Sequence, residues 1–261
     1  MGRKAFSDAL DFALARLYEK KGDREYRKTL DEVFDRRTLL VLEKLISNGY
    51  FVTLDFPIST GKEGNVFRAT TEEGEYIAVK IYRVSTATFK TIGNYVEGDP
   101  RFKSFGGNRR RMISLWCSKE YRNLLKLHDA GVRVPRPIRS IENVLLMGYI
   151  GDEERPAPLL RDVAGFLEDP EGVFCEVVDD IRRAYMDARL VHADLSEYNI
   201  LWWKETPWII DVAQGVVLKH PRAEEFLVRD VKNICRFFRK LGVDVDEEKV
   251  LAYVRGGEDW R

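Results

Sequence analysis

The chain has 261 residues, with 43 Lys and Arg against 43 Asp and Glu, so its formal net charge is zero. No global field then recruits nucleic acid or an anionic membrane, and such a partner has to be met by a local patch. A hydrophobic content of 44% beside 33% charged residues argues against disorder, and the length allows a large core in one two-lobed domain or two small ones.

Cys117, Cys175 and Cys235 are far apart among apolar neighbours. They read as buried thiols of a reducing compartment rather than as a disulfide framework. With three histidines and no Cys-x-x-Cys, a structural zinc is not expected. The opening MGRKAFSDALDF lacks the continuous apolar core of a leader, and no run approaches the ~20 residues of a membrane span. A cytoplasmic protein with no membrane association is the expectation.

In chain order, residues 1–49 are predicted to be a helical extension packed on the following domain. Phe6, Leu10, Ala13, Leu14 and Leu17 form one apolar stripe, and Leu30, Phe34, Leu42, Leu45 and Ile46 form another, stopped at Asn48-Gly49. From Tyr50 the period becomes two. FVTLDFPI, NVFRAT and EYIAVKIY predict three strands, the last two joined by a turn at Thr71–Gly74. Residues 83–111 then lose all periodicity and end in a basic cluster; so long a stretch in a compact domain is functional or a solvated loop. A helix is predicted from about Met112 to Asp129, ended by Gly131, followed by strands in PRPIRSI and NVLLMGYI and a Gly/Pro-rich connector, GDEERPAP. Beyond it the chain is mainly helical, with helices opening at Asp169-Pro170, at Pro221 and at Asp246. Strands first and helices later predict an α+β, two-lobed architecture, divided as N-lobe 50–147, hinge 148–155 and C-lobe 156–261.

The chemistry is carried by residues that conflict with their surroundings. Ser59, Thr60, Gly61, Lys62, Glu63, Gly64, Asn65 and Val66 join two strands. Glycines three apart suit a loop whose amides close over phosphates, and they also suit a plain hairpin turn. It is not a Walker loop, because Lys62 does not precede Ser or Thr and no helix follows. In YIAVKI, alternation puts Ala78 and Lys80 on one face, with Ile77, Val79 and Ile81 on the other. A mid-strand lysine there either meets anions, with Ala78 leaving room for a flat base, or snorkels from an edge strand. Glu120 shares a helix face with Trp116, Leu124 and Leu127 and so needs a cation, for which Lys80 is the natural candidate; a solvent-facing Glu120 is the other reading.

The stretch VHADLSEYNILWW interrupts an apolar run with His192, Asp194 and Asn199. Buried without partners, such groups cost a few kcal/mol, so they are either satisfied by backbone or used. Asp194 is placed to accept a hydroxyl proton and Asn199 to hold a divalent cation. Twelve residues on, WIIDV ends an apolar strand in Asp211, which aims a second carboxylate at the same ion. His192 reads as a packed histidine bonded to backbone. Together the parts suit phosphoryl transfer, which needs positioning, charge neutralisation and an aligned nucleophile.

The order of these features resembles the protein-kinase-like fold, and STGKEGNVF, VHADLSEYNIL, IIDVAQGV and NVLLMGYIGDEERPAPLL resemble the signature stretches of the RIO kinases, in the Rio1 branch. The resemblance covers about residues 50–240, and the compact chain suggests an archaeal member. It implies that Ser59–Val66 covers the phosphates of ATP and that Lys80 contacts them while pairing with Glu120. It also implies that the backbone at Gly148 and Ile150, next to Met147, binds the adenine edge. Asp194 would be the catalytic base, Asn199 and Asp211 would hold Mg2+ (or Mn2+), and Asp211 would be the residue phosphorylated in an ATPase cycle. A serine of the 83–111 loop, Ser104 ahead of Ser85, would be autophosphorylated. The implied process is maturation of the small ribosomal subunit, on a pre-ribosomal particle whose rRNA the basic end of that loop could touch, with the enzyme taken as a monomer. Ala193 replaces an arginine that often reads activation-loop phosphorylation, Asp-Val-Ala replaces Asp-Phe-Gly, and only 50 residues follow Asp211. Two other classes share parts of this pattern: small-molecule phosphotransferases of the aminoglycoside and choline kinase kind, and a slow ATPase that serves as a switch or scaffold.

Overall fold

The computed structural model describes residues 34–61, 63–84 and 108–258. The stripe from Phe6 to Leu17, Leu30, Lys62, Ser85, Ser104 and most of the loop before Arg109 lie outside the described residues. The described chain divides into two compact units, one of residues 34–84, 108–118 and 138–149, the other of 119–137 and 150–258. The boundary therefore differs from a single cut at 148–155, because 119–137 belong with the second unit.

The first unit is built on an antiparallel sheet of β1 (Thr53–Thr60), β2 (Gly64–Thr70), β3 (Tyr76–Tyr82), β4 (Pro137–Ile141) and β5 (Val144–Gly148), in the order β1-β2-β3-β5-β4. Pro57, which has no N–H to give, sits in edge strand β1, where a missing donor breaks no ladder between two neighbours. Helix α1 (Arg36–Ser47) starts at Asp35, whose side chain accepts from the Thr38 amide, and stops at Asn48 and Gly49, the latter at φ 75°. Its Val41, Leu42 and Leu45 join Phe51, Phe67, Ile77, Val79, Ile81, Val144 and Leu146 in one buried cluster. The odd residues of β3 thus face the core as alternation predicts, and Ala78 and Lys80 occupy the other face. Buried Asn143, in the turn between β4 and β5, donates its Nδ2 to Thr38 of α1 (3.0 Å) and to the Tyr82 carbonyl of β3 (3.0 Å), which ties the helix to the sheet.

Helix α2 (Arg109–Asp129) runs from the first unit into the second and ends before Gly131, at φ 73°. The second unit adds α3 (Leu160–Val163), α4 (Pro170–Met186), β6 (Leu190–Val191), β7 (Ile200–Trp203), β8 (Thr206–Ile209), β9 (Val216–Val217), α5 (Ala223–Arg239) and α6 (Glu247–Val254). Helix α4 has the Asp169 cap read from sequence, accepting from Gly172 N–H, and α6 opens where a helix was predicted, with Asp246 accepting from the amides of Glu248 and Lys249. Phe174 of α4 and Phe238 of α5 lie 5.2 Å apart at the centre of the helical core. β8 overlaps the apolar strand predicted just before Asp211, whereas its pairing with β7 was not anticipated. β7 and β8 form a hairpin whose turn, Lys204-Glu205, holds both residues at positive φ (50° and 56°) without glycine or asparagine, so it carries no turn signal. Arg133 fastens the hairpin to α4. Its side chain binds Glu176 (2.5 Å) and the fully buried Asp180 (2.7 Å), and its carbonyl accepts from Ile209 N–H (2.8 Å).

One glycine of the β1–β2 connection has a packing reason. A Cβ on Gly64 would lie 2.5 Å from the Ile81 carbonyl oxygen, closer than atoms can sit. Gly64→Ala should force β2 away from β3 and lower the free energy of unfolding by about 1–3 kcal/mol. Urea denaturation measures this, and an unchanged midpoint would contradict the close approach.

Candidate active site

In the second unit the chain crosses the site twice, and buried polar groups hold both crossings. The first is His192–Asn199. Ala193 sits at φ 67°, a left-handed conformation that turns Asp194 out of the line of β6. Asp230 of α5, 1% exposed, takes the freed amides: Ala193 N–H donates to Oδ2 (2.7 Å) and Leu195 N–H to Oδ1 (3.0 Å). The neighbouring turns of α5 complete the hold, Arg229 donating to the Ala193 carbonyl and Asn233 to that of Leu195 (3.1 Å). Asp194 itself is exposed.

The second crossing is the end of β8. Ile210 N–H donates to the Asn199 carbonyl (2.9 Å), and His192 Nε2 donates to the Ile210 carbonyl (3.0 Å). The expectation of a packed, backbone-bonded His192 describes this contact. Asp211 follows at φ 59°, ψ 56°, again left-handed, and opens a 3-10 turn, Val212–Gln214. Asn199 donates its Nδ2 to the Asp194 carbonyl (2.7 Å), which leaves Oδ1 as the oxygen it can give to a cation. Asp194, Asn199 and Asp211 are therefore gathered on two tied segments.

The electrostatics follow. Partial desolvation raises the Asp194 carboxyl above its ordinary value, opposed by His192 and Arg229, while the charge of Asp211 adds to the rise. Asn199 Oδ1 and the Asp211 carboxylate are the hard oxygens here that could be offered to a divalent cation, beside an Asp194 near enough to feel the Asp211 charge. Among the described residues no group of three or more His, Cys, Asp or Glu could hold a metal by itself, so further oxygens would come from phosphate and water. Glu120 is 1% exposed, and so not the solvent-facing charge of the alternative reading. Ile150 gives its carbonyl to Ala157 N–H (2.9 Å), which leaves its amide as its remaining backbone polar group.

In the first unit Lys80 of β3 pairs with Val66 of β2 and Leu145 of β5, and Ala78 with Arg68 and Met147. Lys80 is thus on a central strand, not an edge. Its ammonium lies 5.1 Å from the ring centre of Tyr82. Its charge is felt by Cys117 of α2, a thiol that burial pushes up to about 12. Gly148 pairs with Ile77, and Ser59 and Thr60 are exposed at the end of β1. Gly61 N–H donates to the Gly64 carbonyl (2.9 Å), and Glu63 accepts from Arg83 N–H (2.9 Å), closing a hairpin. Neither glycine has positive φ, so that part of the expectation is replaced by the close packing of Gly64. Asn65 also differs. It is fully buried on the face opposite Val66, its Oδ1 accepts from Arg83 (2.9 Å), and its side chain is part of the core side of the sheet. Arg68, which sequence reasoning passed over, shares the face of Ala78 and Lys80. It stacks between Phe56 (4.5 Å) and Tyr76 (4.1 Å) and is anchored by Asp55 (2.8 Å).

A twisted antiparallel sheet bearing a central-strand lysine, and a helical unit bearing an Asp-x4-Asn loop and a carboxylate after β8, define the protein-kinase-like class. The RIO domain family model matches residues 65–250. Similar curated proteins are the RIO1 serine/threonine-protein kinase of Caenorhabditis elegans (44% identical over 85% of this chain and 44% of that one) and two archaeal Rio1 kinases. The latter are from Haloferax volcanii (40%, over 90% of this chain and 80% of that one) and Methanocaldococcus jannaschii (38%, over 98% and 89%). This chain spans less than half the length of the worm protein. Among solved structures, the Rio2 kinase of Chaetomium thermophilum in its ADP/Mg2+-phosphoaspartate complex matches with a TM-score of 0.66. That match has 24% identity and covers 92% of this chain and 77% of that one. The chain belongs to the RIO kinase family, in its Rio1 branch.

Burial pushes the Asp230 carboxyl from 3.8 up to about 6, against the pull of His192, the two amides and Arg229. Above that range the cost of burying its charge is present in full. As pH falls from about 6 toward 3.8, the folded carboxyl gains its proton while the unfolded one stays ionised, so the cost is relieved. Wild-type protein should therefore gain stability relative to Asp230→Asn on going from pH 7 to pH 5, as measured by urea midpoints at both values. A constant difference would mean that Asp230 does not titrate there.

Proposed function

We propose that the chain is an ATP-dependent serine/threonine kinase with ATPase capacity. The observation that carries this reading is the gathering of Asp194, Asn199 and Asp211 on two backbone segments tied by Asp230, His192 and Asn199 itself. Asp194 takes the proton of an incoming hydroxyl; its raised carboxyl makes it a stronger base than an ordinary aspartate. Asn199 and Asp211 hold Mg2+, for which Mn2+ is a substitute, and the ion when bound supplies charge neutralisation at phosphate oxygens. Lys80 orients the phosphates of ATP beneath the Ser59–Val66 connection, in which the amides rather than the Asn65 side chain serve. The base lies against Ala78 and Met147, with backbone at Gly148 and Ile150 on its edge.

Family membership supports the further expectations: work on a pre-ribosomal particle during small-subunit maturation in the cytoplasm, autophosphorylation in the 83–111 loop, and a contact of that loop with rRNA. Among the described residues no helix is long and apolar enough to cross a membrane. Phosphorylation of Asp211 is the second reading, favoured by its exposed carboxylate at the end of β8 and by the phosphoaspartate of the Rio2 neighbour.

Asp194→Ala should retain nucleotide binding and lose phosphoryl transfer by at least ~10²-fold; near-normal turnover would remove Asp194 from its role. Incubation with Mg2+ and γ-labelled ATP separates the two readings. Acid-stable label on a serine of residues 83–111 marks a hydroxyl kinase. Hydroxylamine-labile label on Asp211 marks an acyl-phosphate cycle.

A further inference from the structure

The conformation of Asp211 needs an explanation that its own sequence does not contain. A non-glycine residue held at φ 59°, ψ 56° costs of order 1 kcal/mol or more, and it persists only when the surroundings over-determine it. On its N-terminal side the restraint is the pair of bonds to Ile210 already described. On its C-terminal side the 3-10 turn leaves carbonyls buried without a ladder, and such groups need donors.

Two residues of α2 supply them. Lys119, 4% exposed, places Nζ 2.6 Å from both the Ala213 and Gly215 carbonyl oxygens. Asn123, 7% exposed, donates Nδ2 to Val212 (2.9 Å) and Gly215 (3.0 Å). A buried ammonium is expensive, and charge-assisted bonds to two carbonyls are what offset that expense. Gly215 gives independent testimony. A Cβ there would meet Asn123 Nδ2 at 3.0 Å and the Val212 oxygen at 3.1 Å, so the turn is a glycine where the amide of Asn123 needs the space.

We propose that Lys119 and Asn123 are positioning residues that clamp the Val212–Gly215 turn and thereby fix the Asp211 carboxylate for its divalent cation. The proposal rests on the reading of Asp211 as a metal ligand. Neither residue touches the ion. They act through the backbone, as the hydrogen-bonded groups behind a metal ligand commonly do, where their loss weakens metal affinity by about 10–100-fold.

The test is nucleotide affinity of the full-length protein by calorimetry, with Mg2+ titrated and with a chelator present, for wild type, Lys119→Met, Asn123→Ala and Gly215→Ala. The expected result is a Mg2+ requirement for half-maximal ATP binding raised about 10-fold or more, with the metal-free affinity unchanged. A merely structural role would lower both affinities together, and that result, or an unchanged Mg2+ requirement in a folded variant, would overturn the proposal. Asn123→Ala and Gly215→Ala keep the buried charge, so they decide the matter if Lys119→Met fails to fold. Asp211→Asn separates the premises: it should abolish the Mg2+-dependent gain. If the gain survives in Asp211→Asn, Asp211 is not the ligand and the clamp has no such role; if it is lost there but intact in the α2 variants, only the clamp falls.

Discussion

A buried carboxylate that accepts two consecutive-but-one backbone amides is the constraint on which the second unit depends. A peptide segment that turns at a left-handed alanine cannot bond its amides within a helix or a ladder, and leaving them buried and unpaired costs about as much as a large core mutation. Asp230 meets that need from α5, with Arg229 and Asn233 taking the carbonyls of the same segment. The loop is therefore rigid because of the helix behind it, and Asp194 is left free of a structural duty. The amphipathic packing of α4 against α5, centred on Phe174 and Phe238, keeps Asp230 at the right depth.

The same logic recurs wherever the chain leaves regular structure near the site. Ala193 and Asp211 are both left-handed, both are followed by backbone that no strand satisfies, and both are stabilised by polar side chains from a helix interior. A helix makes a better anchor than a loop would, because its own backbone is already satisfied and its position is set by many apolar contacts. Desolvation is the cost of this arrangement. It appears in the raised carboxyl groups of Asp194 and Asp230 and in Asp180, which burial also raises despite Arg133 and Arg183.

Much of the fold was legible because its signals are local. Asp169-Pro170, Asp246, Asn48-Gly49 and Gly131 act within one turn of themselves, and the alternation of YIAVKI needs only its own strand. Asp194, Asn199 and Asp211 stood out because a polar residue in an apolar run is a local contradiction. The hairpin of β7 and β8 was missed because Lys204-Glu205 is an unlikely pair for left-handed positions, held there by strand pairing rather than by preference. Asn65 was misplaced because the glycine pattern around it suggested a phosphate loop, while its strand position put it with Phe67 and Ala69.

Asp230, Lys119 and Asn123 escaped for a different reason. On a helix a polar letter is read as solvent-facing unless its phase is checked, and each of these lies on a buried stripe: Asp230 between Leu227 and Ile234, Lys119 three residues after Trp116, Asn123 four before Leu127. Applied to Glu120, that phase test found a buried carboxylate; applied to every charged or amide residue of the helices, it would have found these three as well. What it could not supply is the partner. Each bonds to backbone 35 to 96 residues away, and a carbonyl or an amide has no letter of its own in the sequence. Side chains that do chemistry announce themselves by type, whereas those that hold the backbone in place are visible only once the topology brings a strained turn to their face of the helix.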